Sequence, residues 1–572
     1  MMRRIAILSL TLALIVVILI AITVGIGYAL ISRAPIQIEE GAVLEIRLSG
    51  TLDELPRHDV MAQFLGFETM SLWEIGKVLQ YAAQDKMISG VYLQIHSLNL
   101  SWAQIEELRD YMKDFRNSKK PLHAFLALDM VRDPELYLAT AADSITLNPD
   151  AGFLVNGLLA EVTFYKKTME KLGIKPEFIQ FKEYKSPEPL SRNSMTPEIR
   201  EMYKSILEDI QSRLVSAISE DRNVSEESIK EVFRSGVSSS TKAVEKHLID
   251  TLGYENEVHS KFISDHVKKY HGVMAKHYLK LAEDQFTTRS EYKIALVGGL
   301  GAITSGNSDP FSATMGGMTT ASHLRKIRAN EDFKGVIFRV DSPGGSAVGS
   351  DMIWNEIILL EEEGKPVVVS MSGVAGSGGY YISMAARKII SHPSTITGSI
   401  GVIFGKFNME NLYEWLGITV DQVKTSPNAD ILSTHTSLNE EHRKNVESWM
   451  ENIYKNFVGK ASEGRQIPYD ILEPLARGRI YTGVQAKNLA LVDELGGMQT
   501  AVKHMKEALA LKKEDPVEIV LYPRSKTLWE QLISGDLLQI RKTPSITQWL
   551  QEQLPFLSNP TPRMLMPEAT IY

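Results

Sequence analysis

The sequence predicts an α/β protein made of two copies of one unit, each on a mostly parallel sheet, behind a single N-terminal transmembrane helix. Three observations carry this. Similar segments recur about 245 residues apart, β-branched runs alternate with helical patterns, and one long uncharged stretch lies near the N-terminus. A chain of 572 residues is long enough to bury several large cores.

The anchor comes first. From Ile5 to Ser32 there are 28 residues without a charge, with Arg3 and Arg4 ahead and Arg33 behind. That run exceeds the roughly 20 apolar residues needed to cross a bilayer. A cleaved secretory signal would have an apolar region of roughly 7–15 residues before a small-x-small site. The exit here, Tyr28-Ala29-Leu30-Ile31-Ser32-Arg33, is a poor cleavage sequence. The reading is therefore an uncleaved anchor over residues 1–35. The leading arginines favour a cytoplasmic N-terminus, with the rest on the extracytoplasmic side of the inner (cytoplasmic) membrane.

The two copies follow. Gly90-Val-Tyr-Leu-Gln-Ile95 resembles Gly335-Val-Ile-Phe-Arg-Val340, and Lys120-Pro121 resembles Lys365-Pro366, both 245 apart. Tyr137–Ala142 matches Tyr381–Ala386 and Leu172-Gly173-Ile174 matches Leu416-Gly417-Ile418 at 244, while Leu248-Ile-Asp250 matches Leu491-Val-Asp493 at 243. So slow a drift indicates a tandem duplication with few insertions. In the second copy, strands are expected at Ile294–Val297, Val336–Val340 and Val367–Met371. Helices are expected at Ser322–Ala329 and Met352–Glu362 and from Tyr380 onward. The units span residues 36–284 and 285–522, with a polar, helical Ser260–Asp284 between them. A tail over 523–572 holds two amphipathic stretches, Leu528–Ile540 and Ile546–Phe556. Core-packing helices are the preferred reading of these, with Trp529, Trp549 and Phe556 on a membrane surface as the alternative.

Composition narrows the chemistry. The balance of 62 basic and 70 acidic residues, net −8, offers no support for a nucleic-acid partner. The absence of cysteine excludes a thiol nucleophile, a disulfide framework and any cysteine-ligated metal. No cofactor or metal is expected. A nucleophile, if there is one, is an oxygen or a lysine.

Two glycine-rich turns follow strands of the second copy: Asp341-Ser342-Pro343-Gly344-Gly345-Ser346 and Gly373-Val374-Ala375-Gly376-Ser377-Gly378-Gly379. Glycines there let backbone N–H groups face a cleft, and a serine opening a helix sits where developing negative charge is favoured. Ordinary tight turns would look the same. The first copy separates the readings. It has Asp133 where Ser377 would fall, and Ser97-Leu98-Asn99-Leu100-Ser101 in place of the first turn. A turn needed only for folding would be expected in both copies, so the second copy is read as carrying a site. The hydroxyl of Ser377 needs a base. The nearest histidine in sequence, His392, precedes Pro393 and is read as a surface residue. A lysine held neutral by burial is the alternative.

Ser342-Pro-Gly-Gly, Gly376-Ser377-Gly-Gly-Tyr-Tyr and Thr397-Gly-Ser-Ile-Gly-Val402, in this order, resemble the signal peptide peptidase A family of membrane-anchored serine proteases. Tyr184-Lys185-Ser186 and Met195-Thr196-Pro197-Glu198 of the first copy resemble it too. The resemblance implies the long, duplicated form with a Clp protease/crotonase-like fold. It implies Ser377 as nucleophile, Lys185 as general base and Ser399 as the residue orienting the lysine. The oxyanion hole would use Gly378 with Gly345 or Gly344, Gly345 being preferred. It further implies hydrophobic peptides such as cleaved signal peptides as substrates, the membrane as setting and a homotetramer as assembly. Lys182 is the obvious decoy for Lys185, and Lys424 lies near the position in the second copy that corresponds to Lys185. A CoA enzyme, a peptide-binding scaffold without activity, and a dinucleotide site at Gly299-Leu300-Gly301 are weaker readings. The last lacks a correctly spaced third glycine, since the next is Gly306.

Overall fold

The computed structural model describes residues 38–56, 70–185, 187–236, 238–266, 272–287, 289–309, 314–524, 563–565 and 570–571. The anchor over 1–35 and both amphipathic stretches of the tail lie outside these. Among the described residues no helix is long and apolar enough to cross a membrane.

The first sheet is built from β1 (Ala42–Gly50), β2 (Ile88–Leu98), β3 (Leu122–Leu126) and β4 (Ser144–Leu147). A strand at Lys175–Gln180, β5, leaves this sheet, and β6 (Thr251–Leu252) and β7 (Gly272–Met274) complete it. The order is β6-β4-β3-β2-β1-β7, parallel throughout. Every residue of β3, Leu-His-Ala-Phe-Leu, is buried, as expected of a parallel strand covered on both faces. The crossover helices Leu72–Gln84 and Trp102–Arg116 each open with a capping box, Ser71 with Glu74 and Ser101 with Gln104.

The second sheet repeats the plan. Its strands are β8 (Lys293–Leu300), β9 (Phe333–Ser342), β11 (Val367–Gly376), β12 (Lys388–Ser391), β13 (Ile396–Gly398), β15 (Ile480–Thr482) and β16 (Glu518–Tyr522), with the short strand Glu494–Leu495 paired to β12. The short β10 (Gly344–Ser346) and β14 (Ile403–Asn408) branch off to a separate layer. The path β15-β13-β11-β9-β8-β16 is parallel except at β15. Helices Pro197–Arg222 and Glu440–Arg465 have 26 residues each, and both end in a left-handed residue, Asn223 and Gln466. The duplication read from the sequence is thus a duplication of structure.

Two strands run further than expected. Asp341 and Ser342 continue β9, and Gly373–Gly376 continue β11, instead of turning. The reason is pairing: Ser342 lies opposite Ala375, and Val374–Gly376 run beside Ile396–Gly398. Lateral partners keep the glycines extended. The helix expected from Tyr380 is the single turn Gly378–Tyr381. The linker Ser260–Asp284 is not wholly helical, because β7 joins the sheet between helices Glu255–His266 and Ala275–Phe286.

Two of the features that join the copies position the site. Strand β5 of the first pairs antiparallel with β14 of the second, from Gln180 opposite Ile403 to Lys175 opposite Asn408. Deeper in, Arg339 is 1% exposed and bonds the Glu54 carboxylate at 2.8 Å, the Ser370 hydroxyl at 2.7 Å and the Glu107 carboxylate. Both glutamates come from the first copy.

Candidate active site

Strand β11 delivers Ser377. Just past its last residue the chain turns sharply, with φ +55° at Ser377, and the one-turn helix begins. The Ser377 N–H donates to the Gly398 carbonyl at 2.8 Å, and the Ser377 carbonyl accepts from Tyr381 at 2.9 Å. A non-glycine residue in this region is held by its surroundings, a feature that clusters at functional sites. The side chain is fully buried.

Lys185 reaches this serine from the other copy. Its Nζ lies 2.7 Å from Ser377 Oγ, 2.8 Å from Ser399 Oγ and 2.9 Å from the Ser399 carbonyl oxygen. Lys185 is 1% exposed, and burial pushes its pKa well below the usual 10.5. A neutral amine has two N–H groups and one lone pair. The two oxygens of Ser399 can accept both N–H groups, which aims the lone pair at the Ser377 hydroxyl.

A seat for the lysine backbone lies in Arg477-Gly478-Arg479. The Arg477 carbonyl accepts from Tyr184 at 3.2 Å, the Gly478 N–H donates to Ile400 at 2.8 Å, and the Arg479 carbonyl accepts from Ser399 at 2.7 Å. One short segment thus holds both Lys185 and Ser399. Sequence reading missed it. The available signal was a glycine between two arginines ahead of the apolar Ile480-Tyr481.

The glycines converge on Ser377. A β-carbon placed on Gly378 would stand 3.1 Å from both the Gly344 Cα and the Gly345 nitrogen. Gly344 has φ +99° and Gly345 φ +151°. The Gly344 N–H already donates to Ser342 Oγ at 3.2 Å. That favours Gly345, beside Gly378, as the second donor toward a bound carbonyl. The tail strand β17 (Arg563–Leu565) runs antiparallel along β10, with Met564 in register with Gly345, and Arg563 also pairs with Ile403. Extended backbone therefore fits this cleft.

The other candidates lie elsewhere. Lys182 pairs with Glu473 at 3.0 Å and Lys424 with Asp430 at 3.0 Å. Gly299 is inside β8, not in a phosphate-binding turn. His392 is not the surface residue expected; it is fully buried, 3.4 Å from Glu107. Burial alone would lower its pKa, but the neighbouring Glu107 carboxylate more than offsets this, and the pKa is raised. The first copy's counterpart of Ser377, Asp133, accepts from the N–H groups of Asn156 and Gly157 at 3.3 and 3.2 Å. Its carboxylate closes the place where the second copy has a serine.

Comparison with known proteins agrees with the duplication. The model of peptidase family S49 matches residues 114–269 and again 360–512. The chain is 31% identical over 516 residues to the chloroplastic serine protease SPPA of Arabidopsis thaliana, covering 87% of this chain and 74% of that one. It is 31% identical over 506 residues to Protease 4 of Salmonella typhi, covering 83% and 80%. Among solved structures, a ClpP1 mutant from Listeria monocytogenes aligns at 14% identity with a TM-score of 0.24, covering 36% of this chain and 94% of that one.

Proposed function

The chain belongs to peptidase family S49 and is a serine protease, and from this premise we propose that Ser377 and Lys185 form its catalytic dyad, with one member from each copy. The observation that carries the reading is the contact of Lys185 Nζ with Ser377 Oγ at 2.7 Å, while Ser399 offers its two oxygens to the same nitrogen.

Neutral Lys185 takes the Ser377 proton as Oγ attacks the carbonyl carbon of a peptide bond. The developing oxyanion lies against the N–H groups of Gly378 and Gly345, which need no reorganisation to receive it. Collapse breaks the C–N bond, and Lys185 returns the proton to the departing amine. Water then loses a proton to the same lysine and attacks the ester, releasing the acid and restoring Ser377.

The substrates are extended hydrophobic peptides, including signal peptides left in the bilayer after cleavage. The seating of Arg563–Leu565 beside Gly344–Ser346 supports an extended pose, because antiparallel pairing is how a cleft edge recognises a peptide backbone. The anchor read at Ile5–Ser32 would hold the protease beside such substrates, on the extracytoplasmic side, as a homotetramer. A relative from Enterococcus faecium, 34% identical over 197 residues, is named a putative signal peptide peptidase.

Labelling with a serine-directed fluorophosphonate tests the dyad. Wild type should label, Ser377→Ala should not, and Lys185→Ala should label far more slowly. Labelling that persists without Ser377, or at full rate without Lys185, ends the proposal.

A further inference from the structure

The turn that carries Gly344 and Gly345 has no side chain of its own to hold it. Its φ angles, +99° and +151°, lie where glycine is free to take other conformations as well. Groups outside the two glycines must therefore fix where the Gly345 N–H points. Ser342 and Gly301 supply them. Gly301 closes the Gly299-Leu300-Gly301 pattern just past β8 and donates its N–H to the Asp341 carbonyl at 2.8 Å. Its own carbonyl accepts from the Ser342 hydroxyl at 2.7 Å, and the same Oγ accepts from the Gly344 N–H at 3.2 Å. Ser342 is fully buried, so water cannot replace either bond.

The first copy shows the same turn without this hydroxyl. Strand β1 pairs Ile46 with Leu93 as β8 pairs Val297 with Phe338, so Gly50, four residues on, corresponds to Gly301. Both have positive φ, +62° and +84°. At the 245 spacing, Asn99 corresponds to Gly344 and Ser97 to Ser342. There the Asn99 N–H donates straight to the Gly50 carbonyl at 2.9 Å. Ser97 is exposed, and its hydroxyl meets Arg132 at 3.5 Å instead. The same two backbone groups are joined directly in the copy without a site and through a serine oxygen in the copy with one.

We propose that Ser342 is a positioning residue for catalysis. Its hydroxyl holds the Gly344 N–H one oxygen away from the Gly301 carbonyl, and that stand-off aims the Gly345 N–H at the carbonyl of a bound peptide. Gly345 is packed on the same segment: it pairs with Ile303, and a β-carbon on it would stand 2.1 Å from the Ile303 carbonyl oxygen. A change in how Gly344 meets Gly301 is therefore passed on to Gly345. Without the hydroxyl, Gly344 can close onto Gly301 as Asn99 closes onto Gly50. Closure pairs both backbone groups but draws Gly345 away from its place beside Gly378. The inference rests on Gly345 and Gly378 being the oxyanion donors proposed above.

Ser342→Ala and Ser377→Ala are made in the full chain in detergent and assayed with a fluorogenic hydrophobic peptide. Ser342→Ala should fold with wild-type circular dichroism, because the closed turn leaves no backbone group unpaired. Its kcat should fall on the order of 100-fold, the loss expected for one oxyanion donor, with KM within about twofold of wild type. A peptide aldehyde forms a hemiacetal with Ser377 that places an oxygen where the oxyanion develops. Its affinity should fall by the same factor as kcat/KM. The pH midpoint of kcat/KM should stay in place, since Lys185 is not displaced. Wild-type kcat in Ser342→Ala, a shifted midpoint, undiminished aldehyde affinity or a chain that fails to fold would each overturn the spacer. Activity that survives in Ser377→Ala would instead overturn the dyad on which it rests.

Discussion

Gly478 of the second copy lies against the backbone of Lys185 of the first, so close that a β-carbon on it would stand 2.5 Å from both the Lys185 nitrogen and the Lys185 Cβ. Its φ of +86° adds a second reason for glycine. Gly478→Ala must therefore displace the lysine from Ser377. Misplacement of a catalytic group by about 1 Å costs on the order of 100-fold in rate. We expect kcat to fall by that order with KM nearly unchanged. Gly364→Ala is the control, since φ is +81° there but nothing lies within 4 Å. It should cost stability and spare kcat.

This seat also marks the limit of what could be read in sequence. The duplication was legible because paired segments keep nearly constant spacing, Ser377 stood out because only one copy holds its serine–glycine turn, and Lys185 and Ser399 were reached through the resemblance to a known family. Gly478 lies nearly 300 residues from Lys185, and no local pattern announces a packing contact at that range. His392 was misjudged for the same reason: Pro393 suggested a surface turn, but Glu107 of the other copy covers it. Strands β9 and β11 outran their glycines because neighbouring strands supplied hydrogen bonds that composition does not reveal.

Lys182 and Lys185 are three residues apart and should behave oppositely. Lys182 is about one-third exposed and its ion pair with Glu473 is peripheral. Pairs of that kind contribute about 0–1 kcal/mol. Lys182→Ala should keep fluorophosphonate labelling within about twofold of wild type, and Lys185→Ala should nearly abolish it. Equal losses would mean that the segment, not the Lys185 amine, is what matters.

Arg339 is the counter-charge for two carboxylates that are themselves buried, Glu54 and Glu107. Burial favours a neutral Glu107, but Arg339 and His392 more than offset it and hold its carboxyl below the usual range. Arg339→Met strips that compensation and should cost about 3–5 kcal/mol in denaturant unfolding. Replacing Arg339, Glu54 and Glu107 together by apolar residues of similar volume should recover much of it. A single variant as stable as wild type would show that the network carries no such charge.

The tail strand at Arg563–Leu565 occupies backbone positions along Gly344–Ser346 that an incoming peptide would need. Deleting residues 557–572 should lower KM for a peptide substrate and speed labelling, because the competitor is tethered and its removal frees the edge. An unchanged KM in the deletion would mean that substrate backbone enters elsewhere.

Lys185 ties activity and stability to pH in one direction. Its folded pKa is depressed well below the usual 10.5, so between those two values the unfolded chain binds one more proton than the folded chain. Stability from this residue then rises with pH across the window, by up to about 1.4 kcal/mol per unit. Lys185→Met removes the titration. The unfolding free energy of wild type relative to Lys185→Met should therefore climb as pH rises from the folded pKa toward about 10. The same deprotonation produces the active base, so kcat/KM should fall as pH drops through the folded pKa and leave little activity in acid. A stability difference that stayed flat across that range would mean that the amine is charged in the fold, and a rate profile flat well below neutrality would remove Lys185 as the base.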